Sequence, residues 1–519
     1  MSAAAAGGAM SPRAAGGAPR PDLYTRLFSA AVFPLLDRIN GTRIAACLAE
    51  LRQGERLDPA KIVSRQQGKA AAAVERALAT SPFYRGFAKS APAGPRSACP
   101  ALDRLPVLTR AAIAAAGDDF LVPAWRGRAL AGRTSGSTGR PMTFYRTIEQ
   151  ESWFWALRFR IWSWAGYQPG DPYLTINLNP RVQWKKRLQD RLFRCAYLTF
   201  NADNQDSARI VSELGRRHIR QLNGFSSSLY VLARYMLDRS IGNPGAAGVT
   251  ATGDTLYPPY REAIETAFGV RVLDYYGAGG ETLHLASQCM ESGGRYHLHP
   301  ENALLEILDG DGPAPPGAPG RVVVTQLDNA AMPLVRYELG DVAVAAPAGE
   351  RCPCGRTLPL LERVEGRLAD LVATPDGEYL VPHFFVVLFK NLREVHRYQV
   401  VQDRLDVLRF RLVAKPGADR KAVEAAVERE RGAATRRTLR GEFEWVEEIP
   451  LAGAGKRRLV ISRLSGNLLS SPGAPISAGD PSVAAIEAIA AARPAGDERA
   501  ARAVGTAIGE SGESRPAGP

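Results

Sequence analysis

The segment from residue 133 to residue 147 holds the densest group of side chains that could bind an anion. Its centre alternates hydroxyl side chains with glycines: Thr134, Ser135, Gly136, Ser137, Thr138 and Gly139. Such a stretch presents backbone N–H groups and short O–H donors to one anion without obstruction by Cβ atoms. No Gly-Lys-Ser/Thr follows, so the loop is not of the Walker type. The pattern predicts a polyphosphate-binding loop, and a solvated Ser/Gly turn between two strands is the alternative.

A second group of residues has the chemistry of a metal site. Three thiols and an imidazole, from Cys289, His297, Cys352 and Cys354, match the ligands of a closed tetrahedral zinc site. His299 is a rival to His297 as the nitrogen ligand. Buried free cysteines beside an unrelated histidine are the alternative. Six cysteines in a chain of this length do not indicate a disulfide scaffold.

The elements that position these residues alternate in type along the chain. Helical spacing of apolar residues predicts helices from Leu23 to Arg52 and, after a cap at Asp58, through Leu78. Thr109 is the predicted cap of a short helix. The aromatic-rich stretch from Trp153 to Trp164 predicts a helix that either packs on a sheet or walls an acyl pocket.

Strands then alternate with helices, which favours a parallel sheet covered by helices. Strands are predicted at 173–178, 198–200, 219–226, 249–254 and 270–276, and ligands of such sheets gather at the carboxyl ends of the strands. Beyond Asp370 two strands, a charged helix and a final strand predict a small α+β unit. We therefore expect disordered ends at 1–20 and 466–519, a large domain at 21–366 and a small domain at 367–465.

Composition excludes several classes of protein. The 519 residues are 45% hydrophobic, enough for a large core and a smaller one. The net charge of +13 comes mainly from dispersed arginines, so we expect anionic small molecules rather than specific nucleic acid as partners. No apolar run approaches the ~20 residues of a membrane span. With no convincing secretory signal, we expect a soluble cytoplasmic protein of unknown oligomeric state.

The hydroxyl-glycine loop resembles the phosphate-binding signature of the adenylate-forming superfamily. Further matches follow in the order of that superfamily: Tyr276-Gly277 with Glu281, Arg336 to Asp341, Gly366-Arg367, and Gly455-Lys456. Leu105 to Arg110 and Cys352 to Arg356 look like the phenylacetate-CoA ligase branch, which includes adenylating proteins of capsular polysaccharide biosynthesis. The stretch between Gly277 and Glu281 is one residue longer than the superfamily pattern.

The resemblance implies an α/β fold: a large N-terminal adenylate-forming domain with layered sheets and flanking helices, and a small α+β C-terminal lid domain. It assigns Thr134 to Gly139 to the phosphates of ATP, and Tyr276-Gly277 to the adenine and magnesium corner. Glu281 would contact Mg²⁺ or phosphate. Asp341 would bind the ribose hydroxyls, with a turn-capping role as the alternative.

Two further assignments concern the small domain. Arg367 would contact ribose or phosphate near the junction of the domains. Lys456 would be the catalytic lysine, with a solvated surface lysine as the alternative. The branch also carries Cys and His at places similar to the four residues of the predicted zinc site, which would be structural.

The expected function is an ATP-dependent, AMP-forming acid:CoA ligase for a small, aromatic or other, carboxylic acid. ATP and CoA would be co-substrates, Mg²⁺ the catalytic ion and Zn²⁺ a structural one. An adenylating enzyme with a non-CoA acceptor, in capsular polysaccharide or secondary metabolite biosynthesis, is the first alternative. A nucleotide-binding homologue without turnover is the second.

Overall fold

A computed structural model describes most of the chain. It covers residues 21–86, 101–102, 105–133, 142–177, 184–200, 204–277, 282–310, 312–367, 370–375, 379–380, 382–390, 392, 394–434, 439–449 and 459–464. The predicted disordered ends, 1–20 and 466–519, lie outside these residues.

The chain enters through helices, as the apolar spacing predicts. Asp22 begins the first helix by accepting the Thr25 N–H, and Asp58 caps the fourth by accepting the Ala60 N–H. These helices are α1 (Leu23–Leu27), α2 (Phe33–Ile39), α3 (Ile44–Gly54), α4 (Pro59–Thr80) and α5 (Pro82–Arg85). A π-helical turn, Phe28–Val32, joins α1 to α2.

A short helix and a hairpin follow. Thr109 caps α6 (Arg110–Ala116) by accepting the Ala112 N–H, as predicted. Strands β1 (Leu130–Arg133) and β2 (Thr143–Arg146) pair antiparallel, with Arg133 opposite Thr143. The predicted phosphate loop lies in sequence between these two strands, and its own residues are outside the described ones.

The middle of the chain forms the parallel half of the main sheet. Its strands are β3 (Tyr173–Asn177), β4 (Cys195–Thr199), β5 (Gln221–Phe225), β6 (Gly248–Thr252) and β7 (Val272–Tyr276). The helices around them are α7 (Ile148–Ser163), α8 (Trp184–Leu192), α9 (Asn204–Arg216), α10 (Ser226–Asp238) and α11 (Pro258–Phe268). The predicted alternation is confirmed, although β4 begins three residues earlier than expected because Cys195 and Ala196 are also buried.

After β7 the sheet continues in antiparallel fashion. The strands are β8 (Ala286–Ser287), β9 (Tyr296–Leu298), β10 (Ala303–Asp309), β11 (Gly312–Pro313), β12 (Pro319–Gln326), β13 (Tyr337–Ala345) and β14 (Leu360–Arg367). Across the described residues both halves form one twelve-stranded sheet, ordered β11-β10-β12-β13-β14-β9-β8-β7-β6-β5-β3-β4. The change from parallel to antiparallel pairing occurs at β7, where Tyr276 ends the strand.

The C-terminal part builds a separate apolar core around Phe385, Phe410 and Val427. Its elements are β15 (Val372–Ala373), β16 (Tyr379–Leu380), α12 (Pro382–Lys390), β17 (Val395–Arg404), β18 (Val407–Ala414), α13 (Arg420–Ala434), β19 (Arg440–Trp445) and β20 (Val460–Ser462). Four of the strands form a sheet ordered β19-β18-β17-β20. The predicted fold class, a large α/β part with a small α+β part, is confirmed. The domain boundary at 367 stays a prediction.

No helix in the described part of the chain combines the length and the apolar character needed to cross a bilayer.

Candidate functional site

Three of the predicted nucleotide-binding residues meet at one corner of the sheet. The Tyr276 hydroxyl, at the end of β7, donates to Asp341 Oδ2 over 2.8 Å. Asp341 lies on β13 directly opposite Arg367 of β14, and Arg367 Nε is 4.0 Å from Asp341 Oδ1. We call Tyr276, Asp341 and Arg367 the polar corner. Residues far apart in sequence thus put a phenol, a carboxylate and a guanidinium at the carboxyl end of a parallel strand.

The fourth predicted residue at this corner, Gly277, is required by close packing of the backbone. A Cβ atom there would lie 2.2 Å from the Leu283 carbonyl oxygen and 3.0 Å from His284 Cα. The chain folds back at this point, since the Leu285 N–H donates to the Tyr276 carbonyl over 2.9 Å. Gly277 therefore allows the segment after β7 to return along the strand.

The remaining predicted catalytic and phosphate-binding residues lie outside the described residues. They are Thr134, Ser135, Gly136, Ser137, Thr138, Gly139, Glu281 and Lys456. Their flanks are described: β1 and β2 bound the loop, Gly277 and Thr282 bound the segment with Glu281, and β20 follows Lys456. Their roles stay predictions.

A buried ion pair lies at the start of β13, the strand that carries Asp341, beside the chain that precedes the hairpin. Arg336 Nη2 donates to Glu306 Oε1 over 2.9 Å, and Arg336 Nη1 donates to the Leu105 carbonyl over 3.2 Å. Both charged side chains are almost fully buried, and Leu108 N–H donates to the Arg336 carbonyl over 2.7 Å. Breaking such a pair would leave an uncompensated buried charge, so it fixes the start of β13 against residues 105–108. Arg336 belongs to the sequence motif that ends at Asp341. Glu306 lies thirty residues earlier, and no sequence pattern identified it as the partner of Arg336.

A stacked histidine lies just beyond the segment with Glu281. The His284 ring stacks on Phe154 of α7 with a centroid separation of 4.8 Å, and Tyr275 meets it edge-on at 4.8 Å. Burial, reinforced by the charges of Arg158 and Arg146, lowers the pKa of His284 well below its ordinary value. His284 is therefore a neutral ring in an aromatic wall. A lone histidine in sequence gave no indication of this.

Most of the aromatic side chains of α7 are structural. Trp153, Phe159 and Trp162 are buried in a core that they share with the N-terminal helices. Phe154 and Trp155 are only half-buried, and the guanidinium of Arg158 lies 4.7 Å from the Phe154 ring. The sequence suggested that the aromatic side chains of α7 either pack in the core or line an acyl pocket. The buried ones pack in the core.

The four predicted metal-binding residues converge, and we call them the Cys/His cluster. The donor atoms of Cys289, His297, Cys352 and Cys354 all lie within 4.8 Å of one another. Cys289 Sγ is 3.6 Å from Cys352 Sγ, and Cys354 Sγ is 3.4 Å from His297 Nε2. Zn–S and Zn–N bonds of about 2.3 and 2.1 Å in a tetrahedron put sulfur atoms about 3.8 Å apart and sulfur and nitrogen about 3.6 Å apart. The donor set fits zinc, and the S–S separation is far too long for a disulfide.

Protonation in the cluster follows from burial and from Arg356. Burial raises the pKa of the Cys289 and Cys352 thiols. Burial also acts to raise the pKa of Cys354, but the N–H groups and charge of Arg356 outweigh it and the pKa is lowered. Burial, with the charges of Arg356 and Arg160, lowers the pKa of His297 to about 4. The imidazole is thus neutral at pH 7, as a metal ligand must be, and a bound cation would deprotonate the thiols.

His299, the rival ligand, has other partners. Its Nδ1 is 2.5 Å from Arg160 Nη2, and its Nε2 is 3.1 Å from Ser287 Oγ. Arg160 in turn pairs with Glu301 over 2.9 Å. His299 therefore belongs to a buried polar network beside the cluster, and His297 is the residue whose nitrogen faces the thiols.

Comparison with known proteins finds relatives of the kind that the sequence motifs predicted. Residues 372–463 match the family model described as the CapK C-terminal domain. The chain is 30% identical to the phenylacetate-coenzyme A ligase of Thermus thermophilus over 148 residues, which are 28% of this chain and 33% of that enzyme. It is 22% identical to protein CapK of Staphylococcus aureus over 341 residues, 64% of this chain and 74% of CapK. The match thus spans only about a third of the Thermus enzyme.

The fold is that of a solved acyl-CoA ligase. The crystal structure of 2-hydroxyisobutyryl-CoA ligase in complex with R3-HIB-AMP superposes with a TM-score of 0.62 at 21% identity. The alignment covers 81% of this chain and 94% of that enzyme. Taken with the sequence relatives, this likeness confirms the resemblance to the adenylate-forming superfamily and its phenylacetate-CoA ligase branch.

Proposed function

We propose that this chain, a relative of the phenylacetate-CoA ligase-like adenylate-forming proteins, is an ATP-dependent acid:CoA ligase for a small carboxylic acid. The observation that carries the proposal is the polar corner, where Tyr276 donates to Asp341 and Arg367 lies 4.0 Å from the same carboxylate. An ionised carboxylate held at a strand end by a phenol can accept hydrogen bonds from two ribose hydroxyls. The two named ligases among its relatives support the same reaction class.

The reaction has two steps. The acid's carboxylate oxygen attacks the α-phosphorus of ATP, which releases pyrophosphate and leaves an acyl-adenylate. The CoA thiol then attacks the acyl carbon, which loses AMP and becomes a thioester, and the thiol proton is released. The difficulty lies in the first step because both reactants are anionic, so cationic groups and N–H donors must stabilise the transition state.

The residues of the chain divide this work. Asp341 and Tyr276 hold the ribose and the base side of the nucleotide, and Arg367 stays near enough to balance the charge of Asp341 or to contact phosphate. Residues 134–139 would bind the phosphates, Glu281 would hold Mg²⁺, and Lys456 would contact the acid and the α-phosphate. All of these roles come from the resemblance, and for Tyr276, Asp341 and Arg367 the contacts at the polar corner support them.

We also infer that the Cys/His cluster holds one structural zinc ion. Four donor atoms within 4.8 Å of one another support this, as does the neutral His297. With no open coordination position the site would supply no chemistry to the substrate. It would instead link Cys289, which follows the Glu281 segment, to Cys352 and Cys354. These two cysteines lie in the loop after β13, and β13 is the strand that carries Asp341.

A second candidate is an adenylating enzyme that transfers the acyl group to an acceptor other than CoA. The observation that favours it is the match of the C-terminal part to the CapK C-terminal domain. In a two-step ligase of this kind the small domain would supply part of the acceptor site. A small domain similar to that of CapK is thus the part of the chain that could select an acceptor other than CoA.

Two measurements on the full chain separate these candidates. ATP–pyrophosphate exchange is measured with a panel of small aliphatic and aromatic acids, and AMP release is then measured with and without CoA. A CoA ligase exchanges with at least one acid and releases AMP faster with CoA. Exchange without any effect of CoA favours the second candidate. ATP binding without exchange for any acid would indicate a nucleotide-binding homologue without turnover.

A further inference from the structure

The outward face of the first helical segment carries a stripe of exposed apolar residues. Leu23, Leu27, Leu35 and Ile39 are 72, 57, 58 and 71% exposed. With the exposed Ala31 they follow one another at intervals of four residues. The opposite face is already used, since Phe28 and Phe33 are buried in the core shared with α3 and α7. The stripe is thus additional to the face that docks the helix.

The π-helical turn keeps this stripe on one side. In a regular α-helix residues four apart drift by about 40° per step, so a run of four steps would wind well around the helix. The turn Phe28–Val32 uses more residues per turn, which rotates the following residues back. Leu35 and Ile39 therefore continue the line that Leu23 and Leu27 begin.

A second exposed helix abuts this stripe. On α8, Leu188 and Leu192 are 52 and 36% exposed and also four residues apart. The Tyr24 hydroxyl donates to the Leu192 carbonyl over 2.6 Å, and Arg194 pairs with Asp22 over 2.6 Å. The two helices thus share one surface. We call it the outer surface, consisting of Leu23, Leu27, Leu35, Ile39, Leu188 and Leu192.

The charges around the outer surface are mainly positive. The described exposed cationic side chains on α1, α2 and α8 include Arg26, Arg38, Lys186, Arg187 and Arg191, and α8 carries one partly buried acid, Asp190. Nearby acids are already engaged: Asp22 binds Arg194, and Asp37 is buried and accepts from the Ala45 N–H and the Thr42 hydroxyl. Apolar side chains bordered by Lys and Arg are typical of helices that lie in a membrane interface.

We propose that the outer surface docks on an anionic lipid bilayer. The leucines enter the boundary between headgroups and acyl chains, and the flanking arginines and lysines contact lipid phosphates. A second copy of the chain is a poorer occupant because it would bring the same positive charges against themselves. The protein would lie on the bilayer without spanning it.

Vesicle flotation of the full-length protein tests the proposal. The vesicles are phosphatidylcholine alone, or phosphatidylcholine with phosphatidylglycerol. We expect at least tenfold stronger partitioning to the anionic vesicles, weakening as salt is added. The double variant Leu27→Ser/Leu35→Ser should lose at least tenfold in partitioning. Val63→Ser is the control, because Val63 is 44% exposed on α4, a helix that is not part of the outer surface, and it should bind as the wild type does.

A charge variant keeps the test decisive if the leucine variant misfolds. Lys186→Glu/Arg191→Glu leaves the apolar side chains in place and should also lose anionic-vesicle binding. No binding of the wild type, or equal binding by the wild type and both double variants, would overturn the proposal. So would a dimer in sedimentation velocity that the leucine variant dissociates, since the surface would then serve a second copy.

Discussion

The polar corner and the Cys/His cluster are built by the same stretch of chain and differ in how open they are. The segment from Tyr276 to His297 runs from one to the other. At the corner, the Arg367 side chain is 50% exposed and the Asp341 side chain is 18% exposed. In the cluster, Cys289, His297 and Cys352 are buried. Charged groups that remain accessible can meet a ligand, whereas buried thiols can only bind one another or an ion.

The difference indicates which site could meet a ligand and which could stabilise the fold. At the corner the Tyr276 hydroxyl holds Asp341 over 2.8 Å, whereas the half-exposed Arg367 side chain lies 4.0 Å from the same carboxylate. The cluster is surrounded by apolar side chains such as Ile62, Leu273 and Leu358. We therefore expect changes at the corner to alter kinetics and changes in the cluster to alter stability.

The largest expected effect is on stability, from the cluster. Cys352→Ala should lower the free energy of unfolding by several kcal/mol, because metal affinity in a structural zinc site is folding free energy. It is measured by chemical denaturation, together with the metal content of the purified protein. The wild type should hold about one zinc per chain.

Cys47→Ala is the control for that variant. Cys47 is a buried free cysteine outside the cluster, so its loss should leave the metal content unchanged. A wild-type protein without metal, or equal destabilisation by the two variants, would contradict the distinction between the two regions.

The next effect is on rate. Lys456→Ala should reduce acid-dependent ATP–pyrophosphate exchange about 10²–10³-fold, the usual cost of one lost transition-state donor. ATP binding, measured by calorimetry, should remain. Lys421→Ala, an exposed lysine on α13, should exchange as the wild type does. An unimpaired Lys456 variant would remove that residue from the mechanism.

A third test uses a carboxylate that lies between the two regions. Asp274 on β7 accepts from the Tyr296 hydroxyl over 2.6 Å, and burial raises its pKa to about 6. The folded state then binds a proton that the unfolded state releases, so Asp274 makes the wild type lose stability as pH rises from about 4 to about 6. The penalty is constant above that range.

Asp274→Asn should therefore raise the free energy of unfolding at pH 7.5 by about 1–3 kcal/mol. The difference in the free energy of unfolding between the variant and the wild type should shrink as pH falls toward 4. Denaturation at a series of pH values measures it. A difference that does not vary with pH would show that Asp274 is ionised throughout.

The smallest expected effect is on nucleotide binding, from a change of Tyr276 in the polar corner. Tyr276→Phe removes the hydrogen bond that orients Asp341 and leaves the carboxylate in place, so nucleotide binding should lose only about 0.5–1.5 kcal/mol. The KM for ATP should rise about 2- to 10-fold with little change in kcat. A loss confined to kcat would mean that Tyr276 acts on the reaction and not on nucleotide binding.

Sequence predicted the elements better than the way they assemble. Caps at Asp58 and Thr109 and the strand-helix alternation were readable because they depend on neighbouring residues. The joining of the parallel and antiparallel halves into one sheet was not predicted from the sequence. It depends on the reversal of the chain at Gly277, where a Cβ atom would lie 2.2 Å from a backbone oxygen. Glu306 and His284 were missed for the same reason: their partners come from distant segments.

Within the site, resemblance to a family was more informative than pattern. Tyr276, Asp341 and Arg367 have little in common as residue types, and only the family order predicted that they belong together. The Cys/His cluster was readable from ligand chemistry, and the choice of His297 over His299 needed the Arg160 and Ser287 contacts.

The most direct test of the central claim, that the polar corner seats the nucleotide of an acid-activating enzyme, is ATP–pyrophosphate exchange by Asp341→Ala. Exchange by the wild type should depend on an added acid, and the variant should raise the KM for ATP about 10- to 100-fold, the value of hydrogen bonds to a charged group. Asp238→Ala, at the end of α10, is the control and should match the wild type. No exchange by the wild type with any acid, or an unchanged KM in Asp341→Ala, would contradict the account.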